Sequence, residues 1–263
     1  MAPKCSSTAR IDGKTIVITG SNTGIGKETG KELARRGARI IIACRNVEKG
    51  EEAKKEIQQE TNNENIEVMK LDLASLKSVK EFSTQLLEKE SKIHILINNA
   101  GIMMVDKAKT EDNFELQIGT NHLGPVLLTM LLLDRMKESA PARIINVSSK
   151  FHAWGSIKWD DFNSEKSYSK KHEYAQSKLA NILFARELSK RIEGTGVTVN
   201  SLHPGVVDTE IGRSLPLINN SIVRALTAPL RWAIMLTPEQ GAQTSIYCAV
   251  AEELEGVTGE YFR

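Results

Sequence analysis

Tyr174 and Lys178 stand four residues apart in the stretch HEYAQSKLAN, residues 172–181. The run is rich in helix formers, and Leu179, Ile182 and Leu183 recur at helical spacing. The tyrosine and the lysine therefore share one face of an amphipathic helix. Such a pair is either two solvated side chains or a proton donor beside the charge that tunes it. A free tyrosine has a pKa of about 10, too high for a good proton shuttle at neutral pH. A neighbouring ammonium would lower that value, and burial alone would raise it.

A second chemical element is VITGSNTGIGKE, beginning at Val17. Gly20, Gly24 and Gly26 allow a tight turn and close backbone approach to a pyrophosphate. Ser21, Asn22, Thr23 and Ile25 lie between them, and the helix N-terminus behind offers free N–H groups. The spacing G-x-x-x-G-x-G departs from G-x-G-x-x-G, but a strand before it and a helix after it supply the required context. An NAD site places an acid about 20 residues further on, to accept from the ribose 2′-hydroxyl. This chain has ACRN there, with Arg45 and no carboxylate. Arginine suits a 2′-phosphate, so the expected cofactor is NADP(H).

These groups need a frame, and the pattern supplies one. Short apolar runs (KTIVIT, RIIIAC, IEVMKLDL, IHILINNAG, ARIINVSS, VTVNSLHPG) alternate with helical segments. That alternation means βαβ units and an α/β fold, a doubly wound parallel sheet of about seven strands with helices on both faces. Thr237, Pro238 and Gln240 open the last helix as N-cap, first-turn proline and capping-box partner. We read one domain over 13–263, an N-terminal extension over 1–12, and an apolar lid around 206–237. The lid contains SIVRALTAPLRWAIML, with Arg224, Arg231, Trp232 and an interrupting Pro229. A surface-lying helix pair with peripheral membrane contact is the alternative for that segment.

The bulk numbers exclude other classes. The 263 residues carry a net charge of +2, with 40% hydrophobic and 26% charged residues, as in a globular protein with a sizeable core. No run of basic residues points to nucleic acid. Cys5, Cys44 and Cys248 are widely spaced, and the five histidines form no ligand cluster, so no metal site is expected. Reduced thiols place the chain in the cytoplasm or on a cytosol-facing membrane. No signal peptide is visible, and the longest apolar run, PVLLTMLLL, falls short of the roughly 18 residues that suggest a membrane span.

With TGSNTGIG, NNAG, YAQSK and HPG in order, the sequence resembles the short-chain dehydrogenase/reductase family over about 13–262. Within it the chain is most similar to the retinol dehydrogenase group, through IIACRN, LDLASLKS, ILINNAGIMM and SKLANILFARELSKRI. The resemblance implies a catalytic tetrad of Asn121, Ser149, Tyr174 and Lys178, with Ser149 and Tyr174 meeting the substrate. It also implies that Asp72, with Leu73 beside it, meets the adenine edge. Asn98 and Gly101 would lie along the cofactor, while Pro204, Val207 and Thr209 would border the nicotinamide. Ser148 is the competing serine; neighbours on a strand face opposite ways, so one of the two reaches the cleft. The family's alignment favours Ser149.

Pro125 departs from the family pattern. It has no N–H to offer the Asn121 carbonyl four residues back; the resemblance implies that this carbonyl holds a water linking Lys178 to solvent, and we expect Pro125 to leave it free for that role. The proline could instead bend the helix and alter the homodimer contact the family makes there. Phe151, Trp154, Trp159, Met103, Met104 and Trp232 favour a lipophilic substrate. The expected activity is interconversion of a lipophilic alcohol, retinol-like in the family's suggestion, with its aldehyde or ketone. A broad reductase of steroids, lipid aldehydes or xenobiotic carbonyls is the alternative within enzymes, and a non-catalytic NADP-binding regulator the alternative outside them.

Overall fold

The computed structural model describes residues 4–208 and 235–263. Seven parallel strands form one sheet in the order β3-β2-β1-β4-β5-β6-β7. They are β1 (Thr15–Thr19), β2 (Arg39–Cys44), β3 (Ile66–Lys70), β4 (Ile95–Asn98), β5 (Ala142–Val147), β6 (Val197–Leu202) and β7 (Tyr261–Phe262). The central strands are almost continuously buried, as expected where helices cover both faces.

Alternation along each strand divides the core into two. Ile16, Ile18, Ile40 and Ile42 face one side, where they meet α1 (Gly24–Arg35), α2 (Val47–Thr61) and α7 (Pro238–Val250). Val17, Ile41 and Leu96 face the other, against α3 (Leu76–Lys89), α5 (Gly124–Glu138) and α6 (Lys170–Arg191). The expected capping box is present: Gln240 N–H donates to Thr237 Oγ1 at 3.2 Å, and Thr237 N–H donates to Gln240 Oε1 at 2.9 Å. Residues of the N-terminal extension are docked on this frame. Cys5 N–H donates to Gln243 Oε1, and Ile11 packs against the first core.

Between β4 and α5 lie a short helical turn α4 (Leu116–Ile118) and a π-helical turn over Gly119–Leu123. Pro125 sits in the first turn of α5, directly after the π turn and inside a helical run that begins at Leu116. The Asn121 carbonyl accepts from the Asn181 side-chain amide at 3.0 Å, which uses one of its two lone pairs.

The continuous helical stretch Leu116–Glu138 is longer than the apolar run first singled out. It is 23 residues long, and an 18-residue window of it reaches a mean hydropathy of 1.3, enough by length and composition for a membrane span. Its Leu128, Leu132, Leu133 and Met136 fill the second core, so in this fold it is a core helix. Across the sheet beneath it, Asn98 and Asn146 are register partners on β4 and β5. Asn98 Nδ2 donates to Asn146 Oδ1 at 2.8 Å and to Thr129 Oγ1 at 3.0 Å.

Candidate active site

The strand order reverses between β1 and β4, and in open α/β sheets the crevice beyond the strand ends at that point is where ligands bind. A cavity of about 900 Å³ opens there. Gly20 (φ +67°) and Gly24 (φ +58°) bend its floor through conformations that side chains rarely adopt. A Cβ on Gly26 would lie 2.6 Å from the Gly20 carbonyl and 2.5 Å from Asn99 Nδ2, so the helix can start only this close to the turn with glycine. Thr23 makes no side-chain cap, and the first turn of α1 carries no acid. The free N–H groups and positive end of α1 therefore fit a phosphate.

The loop after β4 is stapled to this floor. Asn99 Nδ2 donates to the Thr19 carbonyl at 2.9 Å, while Asn99 N–H and Ala100 N–H both donate to Thr19 Oγ1 at 3.0 Å. Gly26→Ala is expected to cost about 1–3 kcal/mol of stability through overpacking and to abolish binding of the nicotinamide cofactor, read by urea unfolding and cofactor fluorescence.

Farther along, Arg45, Asn46 and Lys49 line the cavity beyond β2. Asp72 and Leu73 line it beyond β3, where Asp72 Oδ1 also accepts from Ala74 N–H at 3.0 Å, the turn-capping role open to any aspartate.

The four tetrad positions converge at the inner end. Asn121, in the π turn, pins the loop after Gly101: its Oδ1 accepts from Ile102 N–H at 2.8 Å, and its Nδ2 donates to the Ile102 carbonyl at 2.9 Å. Nδ2 also donates to Ser177 Oγ. Ser148 spends its hydroxyl on the Lys178 carbonyl at 2.7 Å, which leaves Ser149 to face Tyr174. Lys178 Nζ donates to the Val147 carbonyl at 3.1 Å and lies 5.7 Å from the Tyr174 ring centroid. Gly101 makes this approach feasible, since a Cβ there would stand 3.3 Å from Lys178 Nζ and 3.2 Å from Asn121 Oδ1.

Electrostatically the pair differs from the sequence expectation. Burial pushes the Tyr174 phenol up to about 12, and a hydrogen bond with Ser149 opposes this only in part. Burial likewise pushes Lys178 down to about 8. In the protein alone, desolvation outweighs the attraction that was expected to lower the tyrosine.

Part of the cavity wall is apolar. Phe151 meets the Tyr174 ring edge-on at 5.7 Å and Trp154 at 5.1 Å, so three aromatic rings run in contact along this wall. Met103 and Met104 form part of the wall, and Pro204 and Val207 border the inner end. Asn98 and Trp159 are exceptions. Asn98 is buried in the β4–β5 rung and does not line the cavity, whereas its neighbour Asn99 does. Trp159 is 82% exposed and takes no part in the lining. The Ser21 hydroxyl turns inward to the Ile18 carbonyl. Thr209 and Trp232, with most of the expected lid, lie outside the described residues.

A glycine-turned phosphate site joined to a buried Ser–Tyr–Lys cluster is the site of a pyridine-nucleotide oxidoreductase. The family model described as short chain dehydrogenase matches residues 14–217. Human retinol dehydrogenase 13 is 53% identical over 98% of this chain and 78% of its own length, and mouse retinol dehydrogenase 12 is 53% identical over 98% and 80%. Among solved structures, an uncharacterised protein of Mycobacterium paratuberculosis is 36% identical with a TM-score of 0.74, covering 96% of this chain and 82% of that one. The Pseudomonas aeruginosa RhlG/NADP complex has the same fold, with a TM-score of 0.75 at 23% identity over 96% and 95% of the two chains. The chain belongs to the short-chain dehydrogenase/reductase family, within its retinol dehydrogenase group. It is an oxidoreductase of alcohols and carbonyls that uses a nicotinamide cofactor.

Proposed function

We propose that the chain is an NADP(H)-dependent oxidoreductase interconverting a lipophilic alcohol, retinol-like, with its aldehyde or ketone. One observation carries this reading: Ser149, Tyr174 and Lys178 line the same cavity as Met103, Met104, Phe151 and Trp154, with Phe151 edge-on to the Tyr174 ring. The relatives named retinol dehydrogenases support the choice of a long, lipophilic substrate.

A bound nicotinamide supplies or takes up the hydride. The chain's own residues manage the proton. Ser149 holds the carbonyl oxygen, and the Tyr174 hydroxyl donates to it during reduction and takes the proton back during oxidation. The Lys178 ammonium opposes the build-up of negative charge on the phenolic oxygen, an effect strengthened by its burial. The floor formed by Gly20, Gly24 and Gly26 holds the pyrophosphate, and Pro204 and Val207 border the ring.

Arg45 carries the preference for the 2′-phosphate, and Lys49 on the next helical turn, which the sequence reading passed over, adds a second cation. Arg45→Asp is expected to raise the NADPH KM by about 10- to 100-fold, the worth of a charge-assisted hydrogen bond. Unchanged NADPH use in steady-state kinetics would count against this assignment. A panel of retinal, steroids and medium-chain aldehydes, run with NADPH and NADH, separates a retinoid enzyme from a broad carbonyl reductase. We place the chain in a reducing, cytosol-facing compartment, in keeping with its three free cysteines.

A further inference from the structure

One turn beyond Lys178 on α6, Asn181 is 5% exposed, and its amide is fully committed. Nδ2 donates to the Asn121 carbonyl at 3.0 Å and to the Val147 carbonyl at 3.5 Å. These two acceptors fix which end of the amide is nitrogen. Oδ1 therefore faces His122 and accepts from its Nδ1–H at 3.0 Å. Burial lowers the His122 pKa, consistent with a neutral ring donating from that nitrogen. Two consecutive residues of the π turn thus clamp Asn181 from both ends.

Pro125 explains why the Asn121 carbonyl needs this partner. The residue that would serve it in an α-helix has no N–H, and a buried carbonyl without a donor is costly. The Val147 carbonyl is shared: it accepts from Asn181 and also from the Lys178 ammonium. Asn121 and Lys178 in turn flank Gly101 from the same side. One amide therefore touches the backbone of one tetrad member and the acceptor that anchors another.

We propose that Asn181 is a positioning residue for proton transfer, locking the π turn to α6 and setting where the Lys178 ammonium rests beside Tyr174. The inference builds on the reading of Tyr174 as proton donor. No charged group perturbs Lys178 or His122 among the described residues. Loss of the amide would free a lone pair on each carbonyl and make the surroundings of Nζ more negative. The ammonium would then persist to higher pH.

The test is Asn181→Leu, similar in size without the amide, assayed with retinal and NADPH. The expected result is a kcat lowered about tenfold by misplacement, with the NADPH KM held within about twofold. The alkaline limb of the kcat–pH profile should also move upward. A wild-type kcat, or a lowered kcat with an unmoved limb, would overturn the proposal, the latter showing packing alone. Should that variant fail to fold, His122→Phe removes only the donor to Oδ1 and should shift the limb in the same direction; an unmoved limb there overturns it equally. Tyr174→Phe in the same assay separates the two readings. Turnover retained in that variant removes the reading of Tyr174 as donor, whereas turnover lost there beside a wild-type Asn181→Leu removes only this inference.

Discussion

Tyr174→Phe is expected to lower kcat for carbonyl reduction on the order of 10²- to 10⁴-fold, the usual worth of a positioned general acid, while the nicotinamide cofactor binds nearly as before. The phenol is 4% exposed, and its ring packs edge-on against Phe151, so removing one oxygen leaves the packing in place. Only the Ser149 partnership and the transferable proton are lost. Fluorescence titration with NADPH and steady-state kinetics on the same preparation check both halves. A regulator that merely senses the nucleotide would have no turnover to lose.

Lys178→Met should abolish most turnover and yet stabilise the fold. The lysine is fully buried with its pKa depressed to about 8 from 10.5, so the folded state resists holding the proton that the unfolded chain keeps. Between those two values the unfolded state binds more protons, and wild-type stability rises with pH. Below about pH 8 the full burden of a buried ammonium is present, on the order of 2 kcal/mol after allowance for the lost bond to Val147. The variant's advantage should be greatest at pH 6 to 7 and shrink as pH rises through 8 towards 10.5. Urea unfolding at several pH values reads this directly. An advantage that did not depend on pH would mean that packing, not charge, sets it. Tyr174 contributes in a different window: its raised pKa favours the protonated folded state, and that stability is lost as pH climbs from 10 to about 12.

Much of this site was legible before any coordinates. The glycine turn, the missing acid after β2 and the i, i+4 tyrosine and lysine are local patterns, and local patterns survive folding. What was missed depends on register and burial. Asn98 and Asn99 read alike in sequence. Only the pairing of Asn98 with Asn146 shows that the first asparagine is held in the sheet while the second reaches the phosphate turn. Trp154 and Trp159 both sit in the long segment before α6, whose short 3₁₀ turns have no periodicity to assign a face. Asn181 looked like an ordinary polar helix position because its partners come from a π turn about 60 residues away, a geometry that helical spacing does not encode. The direction of the Tyr174 and Lys178 shifts required knowing that both are almost completely enclosed, and spacing alone weights the charge too heavily.

The buried rung of Asn98 and Asn146 has a consequence for folding fidelity. Parallel strands rich in isoleucine and valine offer many nearly equivalent alignments, and a two-residue slip would keep every side chain on its proper face. Here such a slip would separate the two amides, leaving Asn98 with Thr129 alone and Asn146 Oδ1 without its donor, at about 1–3 kcal/mol. It would also carry Ser149 about 6.6 Å along the strand direction, away from the loop that bears Gly101. This pair of asparagines, set back from the cavity lining, thus rejects misaligned sheets in which the tetrad could never assemble.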